Sequence, residues 1–265
     1  MQAQYSVEVK EQASRILLAD VHCHLDIFED IRILRHAIDN GIDVIIGNGI
    51  DTSSNMKAIG LSDNRNIFAM MGIDPENAIV IGDDELEFNI GLIKENKNRI
   101  VGIGEIGLDN KIATTLEQKE RQQYVFGRML DTAISLKLPI SVHARAAFDD
   151  VMQMLESRKM PSVHMHFFDG DEVQAKIVAD HGYYISIPPV ETSKRKRAIA
   201  QMPMNLIMSE TDAPVVGKTP LDVAKSVDMI AKVKGIQYND AALVTLENAH
   251  RFFNINLKRI GSRRG

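Results

Sequence analysis

Short aliphatic runs, rich in Ile and Val and too brief for helices, punctuate the whole chain. They are ILLADVH from Ile16, VIIG from Val44, IFAMMGI from Ile67, IVGIG from Ile100, PISVHA from Pro139, SVHMHF from Ser162, YYISI from Tyr183 and LIMS from Leu206. Continuous rather than alternating hydrophobicity marks strands covered on both faces, as in a parallel sheet. Between these runs the polar pattern takes a helical period. The clearest case opens with Thr114 and Glu117 in capping-box spacing and then sets Phe126, Met129, Leu130, Ala133 and Ile134 on one face. Helices are also predicted over 27–39, 86–97, 147–157, 172–180, 194–201, 220–234 and 239–250.

Strand and helix thus alternate about eight times, which predicts an α/β fold: a single-domain (β/α)8 TIM barrel. The rival is an open doubly wound sheet. That fold places a Gly-rich phosphate turn after its first strand, whereas here the first strand runs into His22-Cys23-His24. The expected organisation is a helical extension over 1–17, a barrel domain over 18–255 and a basic tail over 256–265.

Composition narrows the class. The chain has 265 residues, 45% hydrophobic and 25% charged, which disfavours disorder, and its apolar runs fall short of the roughly 18 residues of a membrane span. The first residues lack the basic start and long apolar middle of a secretory signal. The single cysteine, Cys23, has no intramolecular partner, so the cytoplasm is the expected compartment. A net charge of −5 disfavours a broad basic groove for duplex DNA but leaves room for a local cluster or for bound cations.

Candidate chemistry gathers where a barrel puts it, at the carboxyl ends of strands. His22 and His24 end the first strand, Glu105 follows the fourth, His143 lies in the fifth, His166 ends the sixth and Asp212 follows the eighth. Period two sends His22 and His24 to one side and Cys23 to the other, into the core. A lone His-x-His reads as readily as a pair of structural histidines, but dispersed residues converge if the barrel closes. Four histidines and two carboxylates exceed what one tetrahedral zinc takes from a protein. Two divalent cations fit better, with Glu105 able to bridge ions about 3.5–4 Å apart that activate a shared water. His164 shares the face of His166 one step deeper and is expected behind the ligands, as is Glu210 next to the Asp212 segment. His36, His181 and His250 fall on or beside helices, where structural roles are expected. Arg145, Lys194 and Arg195 are candidate phosphate contacts near the mouth, with a solvated helix face as the alternative for the Lys194–Arg197 run.

These motifs resemble the TatD family of metal-dependent hydrolases, commonly described as deoxyribonucleases. The likeness is collinear from Asp20 to Phe253: DVHCHLD, GEIGLD, QxxVF from Gln122, LPISVHAR, HFFDG, SETDAP and ENAHRFF. It implies a TIM barrel with a binuclear site. One ion would take His22, His24 and Asp212, the second His143 and His166, with Glu105 between them and Asp212 orienting or deprotonating the water. Magnesium, manganese and zinc are all candidates. Three positions depart from the family pattern: Asp74 where a histidine is usual, Asn110 where an aromatic is common, and Val215-Val216 after SETDAP.

The leading expectation is a cytoplasmic hydrolase that cleaves DNA, single-stranded or at duplex ends, as an exonuclease, with Phe167 and Phe168 the residues placed to stack on bases. An esterase or amidohydrolase acting on a lactone, a cyclic amide or an aminoacyl-RNA ester is the alternative, and a non-catalytic, metal-stabilised binding protein is a third reading. Oligomeric state is left open.

Overall fold

The computed structural model describes residues 16–255. Within them strands and helices alternate: β1 (Leu18–Cys23), α1 (Arg32–Asp39), β2 (Ile42–Asn48), α2 (Thr52–Leu61), β3 (Ile67–Ile73), α3 (Pro75–Val80), α4 (Asp83–Glu95), β4 (Ile100–Asp109), α5 (Leu116–Leu136), β5 (Ile140–Arg145), α6 (Phe148–Ser157), β6 (Val163–Met165), α7 (Glu172–Asp180), β7 (Tyr184–Ile187), α8 (Ser193–Gln201), β8 (Ile207–Ser209), α9 (Val223–Lys234) and α10 (Tyr238–Phe252). The strands pair in parallel in chain order, β1 through β8, as the barrel expectation required. The ring closes between β8 and β1 through a bridge from Cys23 to Ala213, with His24 N donating to Ala213 O at 2.8 Å and Asp212 N to His22 O at 2.9 Å. Closure therefore passes through the site motifs themselves.

The continuous apolar runs are buried as predicted. Ile45, Met71, Ile103, Val142, Met165, Ile185 and Ile207 join helical residues such as Leu34, Ile90, Phe126, Leu155 and Val178 in one large layer. A smaller cluster of Ala19, Val21, Val44, Ile46, Phe68, Met70 and Met208 packs with Leu246, Ala249, Phe252 and Phe253 of the α10 region. Helix starts are set by polar caps in the loops that leave the strands. Asp51 caps α2, Asp74 caps α3, Thr115 caps α5, Asp171 caps α7 and Thr192 caps α8, each accepting from a backbone N–H in the first turn.

Several sequence expectations need correction. The capping box of α5 is Thr115 with Gln118, one residue later than Thr114 with Glu117, and Ile134 lies 43% exposed at the edge of the predicted face. The helix expected over 27–39 begins only at Arg32, because Leu25 and Phe28 are buried in the loop after β1. The α2 helix escaped notice because its buried face includes Ser54 and Asn55, so no apolar stripe announces it. Ile16 and Leu17 carry no helix; the rest of the predicted 1–17 extension and the 256–265 tail lie outside the described residues. Among the described residues, no helix is long and apolar enough to cross a membrane.

One glycine bears directly on the site. A Cβ on Gly72 would sit 2.3 Å from the Glu105 carbonyl oxygen and 2.8 Å from the Glu105 nitrogen, both backbone atoms that cannot swing aside. Asn55 holds Gly72 from the other side, accepting from its N–H and donating to its carbonyl, each at 2.9 Å. Gly72→Ala is expected to destabilise the fold by about 1–3 kcal/mol, read as a lowered urea midpoint, because overpacking must displace backbone. An unchanged midpoint would show that β3 and β4 can separate without loss.

Candidate metal centre

At the carboxyl end of the barrel the six sequence-predicted residues come together around one carboxylate. Glu105 lies inside β4, which runs on to Asp109 instead of stopping before it. Its two oxygens face different partners. Oε2 lies 3.2 Å from His22 Nε2 and 3.8 Å from His24 Nε2, while Oε1 lies 2.9 Å from His143 Nδ1 and 3.0 Å from His166 Nε2. Asp212 Oδ1 completes the first side, 3.1 Å from His24 Nε2 and 3.8 Å from His22 Nε2. The His22 and His166 rings stack at 3.9 Å with 13° between their planes.

Burial makes this arrangement electrostatically tense. Glu105 is 5% exposed, and although burial alone would raise its carboxyl, His166, His143 and His22 hold it well below the usual range. Burial lowers His166 and His143 as well, yet Glu105 and Glu210 hold the first well above its ordinary value, and Asp109 and Glu105 raise the second. His22, where burial wins, is lowered. Against burial, the His24 imidazole 3.1 Å away keeps Asp212 low, so its carboxylate is ionised at neutral pH.

The donors also fit cations by what they lack. His22 Nδ1 and Nε2, His24 Nδ1, His166 Nδ1 and Asp212 Oδ1 are buried without an aligned hydrogen-bond partner, a cost of about 1–3 kcal/mol per group unless something else binds them. Three groups bring one ligand atom from each member within 4.8 Å of one another: His22, His24 and Asp212; Glu105, His143 and His166; and His22, His166 and Glu210. Imidazole nitrogens mixed with carboxylate oxygens suit zinc, manganese and similar ions.

Residues behind the donors fix their directions. Asp109 Oδ2 takes the Nε2 edge of His143 at 3.0 Å, turning Nδ1 toward Glu105. Sequence reasoning missed Asp109, although it shares strand parity with Glu105 and stands in the same GEIGLD motif. Asp20, also missed, accepts from the Thr211 backbone N–H and hydroxyl and so anchors the turn that presents Asp212 at φ 52°. His164 is buried among Ser141 and Ser186, where burial drives it well below its ordinary value, and Glu210 lies 3.7 Å from His166 Nδ1. Cys23 packs in the core with Sγ 3.4 Å from Ala213 O.

The mouth differs from expectation. Arg195 is 2% exposed, donates to the Phe168 and Val190 carbonyls and lies 5.3 Å over the Phe167 ring, so it ties loops together and its guanidinium does not face solvent. Phe168 is buried and cannot stack on a base. Lys194 stays at the rim, paired with Asp169 at 3.0 Å, and Arg145 is largely exposed with Nε 3.4 Å from Asp109. Among the three departures, Asp74 caps α3 and is raised to about 6 by burial and by Glu105, Asn110 donates to the Ala146 carbonyl, and Val215 is 63% exposed.

A parallel barrel with histidines and carboxylates converging at its carboxyl end defines a class: barrel proteins with residues able to hold metal in the mouth. More specifically, the family described as TatD related DNase matches residues 19–254, and the chain belongs to it. It is 30% identical to the human deoxyribonuclease TATDN3, over 91% of this chain and 96% of that one. It is 29% identical to the metal-dependent hydrolase YabD of Bacillus subtilis, over 91% of this chain and 100% of that one. The crystal structure of YjjV, a TatD homologue from Escherichia coli, superposes with a TM-score of 0.81 at 25% identity, covering 90% of this chain and 98% of that one.

The raised imidazoles predict a pH signature for the metal-free protein. His143 and His166 bind protons more tightly folded than at their ordinary 6.5, so their contribution is complete below about 6.5 and lost as pH climbs through the raised values. The thermal midpoint of chelated protein should fall as pH rises above that point, and Asp109→Asn should flatten the fall by removing a carboxylate from His143. A midpoint that rises across this range would contradict the assignment.

Proposed function

We propose that this chain is a metal-dependent deoxyribonuclease that hydrolyses phosphodiesters from a DNA end, using two divalent cations. The single observation that carries the reading is the division of Glu105, with one oxygen toward the His22 and His24 side and the other toward the His143 and His166 side. On this reading His22, His24 and Asp212 hold the first cation, His143 and His166 hold the second, and Glu105 bridges. Bound there, magnesium, manganese or zinc supplies charge that polarises a phosphoryl oxygen and lowers the pKa of water.

The chain's own residues then divide the remaining work. Asp212, ionised and carried on the turn that Asp20 anchors, orients the attacking water and accepts its hydrogen bond. Asp109 keeps His143 in one orientation. Lys194 offers a phosphate contact in exchange for an exposed ion pair with Asp169 that contributes only about 0–1 kcal/mol, and Arg145, largely exposed, offers another beside buried Asp109. Support for a nucleic-acid substrate comes from the family and from the deoxyribonuclease name of the human relative. Donors buried at a barrel end are reached by a strand terminus more readily than by duplex interior. Buried Cys23 asks for no oxidising compartment, in keeping with the cytoplasm.

The buried Phe168 and Arg195 favour one second reading, since they remove a stacking platform and a phosphate contact: an esterase or amidohydrolase with a small substrate. The test is a time course on 5′-labelled single-stranded and blunt duplex DNA under magnesium, manganese or chelator. Stepwise shortening by the wild type is expected, with Glu105→Ala reduced to the chelator level while its circular dichroism stays unchanged. Intact DNA under every metal, with turnover of lactone or ester substrates, would establish the second reading instead.

A further inference from the structure

A chain of buried polar side chains runs from the metal centre into the barrel, and none of its members past Glu210 touches the site directly. Ser186 Oγ donates to Glu210 Oε2 at 2.7 Å. With the Ser186 hydrogen committed to Glu210, its oxygen accepts from His164 Nε2, 2.6 Å away. That places the His164 proton on Nε2 and leaves Nδ1 to accept from Ser141 Oγ at 3.1 Å. Phe252 and Phe253 close the far side of His164 edge to face, with centroids 5.9 and 6.3 Å away. Every member of the chain is fully buried, and each hydrogen bond has one allowed direction.

The direction matters at the other end. His22 and His166 are stacked with both Nε2 atoms at Glu105, and the Nδ1 of each is buried and unpartnered, as is Glu210 Oε1. Glu210 Oε2 lies 3.7 Å from His166 Nδ1, and a ring nitrogen of each imidazole with one Glu210 oxygen form a set within 4.8 Å. A shift of about half an ångström would bring this carboxylate into hydrogen-bond range of the His166 Nδ1–H, and His22, whose ring nitrogen lies within the same 4.8 Å set, is the next imidazole within its reach. Under the two-cation reading His22 and His166 belong to different ions.

We infer that Glu210 is a positioning residue shared by both halves of the metal centre, accepting from Nδ1–H of His22 and of His166, and that the Ser141–His164–Ser186 chain holds its carboxylate in place. The inference rests on the metal-centre reading and adds to it a coupling between the two ions. A carboxylate behind a ligating imidazole fixes the ring's tautomer and raises its basicity, and its loss typically costs 10–100-fold in metal affinity. Asp109 serves the same purpose for His143 alone, so the two carboxylates have different signatures.

The test titrates zinc and cobalt into wild type, Glu210→Gln, Asp109→Asn, Ser186→Ala and Ser186→Thr by calorimetry. It adds cobalt visible spectra and long-range proton–nitrogen correlation of the histidines in zinc-loaded protein. Glu210→Gln is expected to weaken both ions about 10–100-fold and to shift the nitrogen signals of both His22 and His166, whereas Asp109→Asn weakens one ion only. Ser186→Ala should weaken both ions by a smaller factor and Ser186→Thr, which keeps the hydroxyl, should restore them, so the prediction survives if the Glu210 variant fails to fold. Wild-type affinities and spectra in both Glu210→Gln and Ser186→Ala would overturn the inference, as would loss of a single ion in Glu210→Gln. Disappearance of one cobalt site from a set of three would overturn it by making Glu210 a ligand. If wild type itself takes up fewer than two cations, the two-ion reading fails and the coupling with it, a result distinguished from the others by the wild-type titration alone.

Discussion

Four imidazoles share one buried carboxylate, and the rest of the barrel mouth is arranged around that fact. Glu105 sits in a ten-residue strand with almost no solvent access, so its charge must be matched locally or not persist. His22 and His24 approach one oxygen, and His143 and His166 the other. Removing water from this cluster raises the worth of each attraction and the penalty of each unpaired nitrogen together. Cations drawn into such a site displace protons from imidazoles and satisfy donors that the protein leaves open.

Barrel closure and site assembly are the same event in this chain. The turn after β8 carries Asp212, bonds back to His22 and His24 through main-chain atoms, and is pinned by Asp20 from β1. The first and last strands therefore meet through site residues rather than through a regular ladder. Close backbone approach elsewhere has the same consequence: Gly72 lets β3 press against the Glu105 peptide, and Asn55 of α2 keeps it there. Positioning is thereby borrowed from the fold, whose stability rests on the apolar layer between strands and helices.

Much of this was legible along the chain. Continuous aliphatic runs announced eight strands because both faces of a parallel barrel strand are covered, and strand parity placed His22 and His24 together with Cys23 opposed. Polar helices were not legible in the same way. The α2 helix buries Asn55 for hydrogen bonds across to β3 and Ser54 for its own capping box with Asp51, so its inward face carries little hydrophobic signature. Within the basic run after β7 only Arg195 departs from both readings, for a related reason: charge in sequence says nothing of whether Asp169, Glu191 and Glu172 wait opposite the run, or whether Arg195 turns inward onto two carbonyls.

Sequence alone determined the architecture, the donor types and the strand ends that present them, because hydrophobic period and residue chemistry are local properties. Only the tertiary structure decided which oxygen of Glu105 faces which histidines, that Asp109 stands behind His143, and that Ser186 and His164 line up behind Glu210. Those are relations between residues tens of positions apart, set by barrel register and side-chain direction. Neither quantity has any representation in a linear pattern until the first strand meets the last.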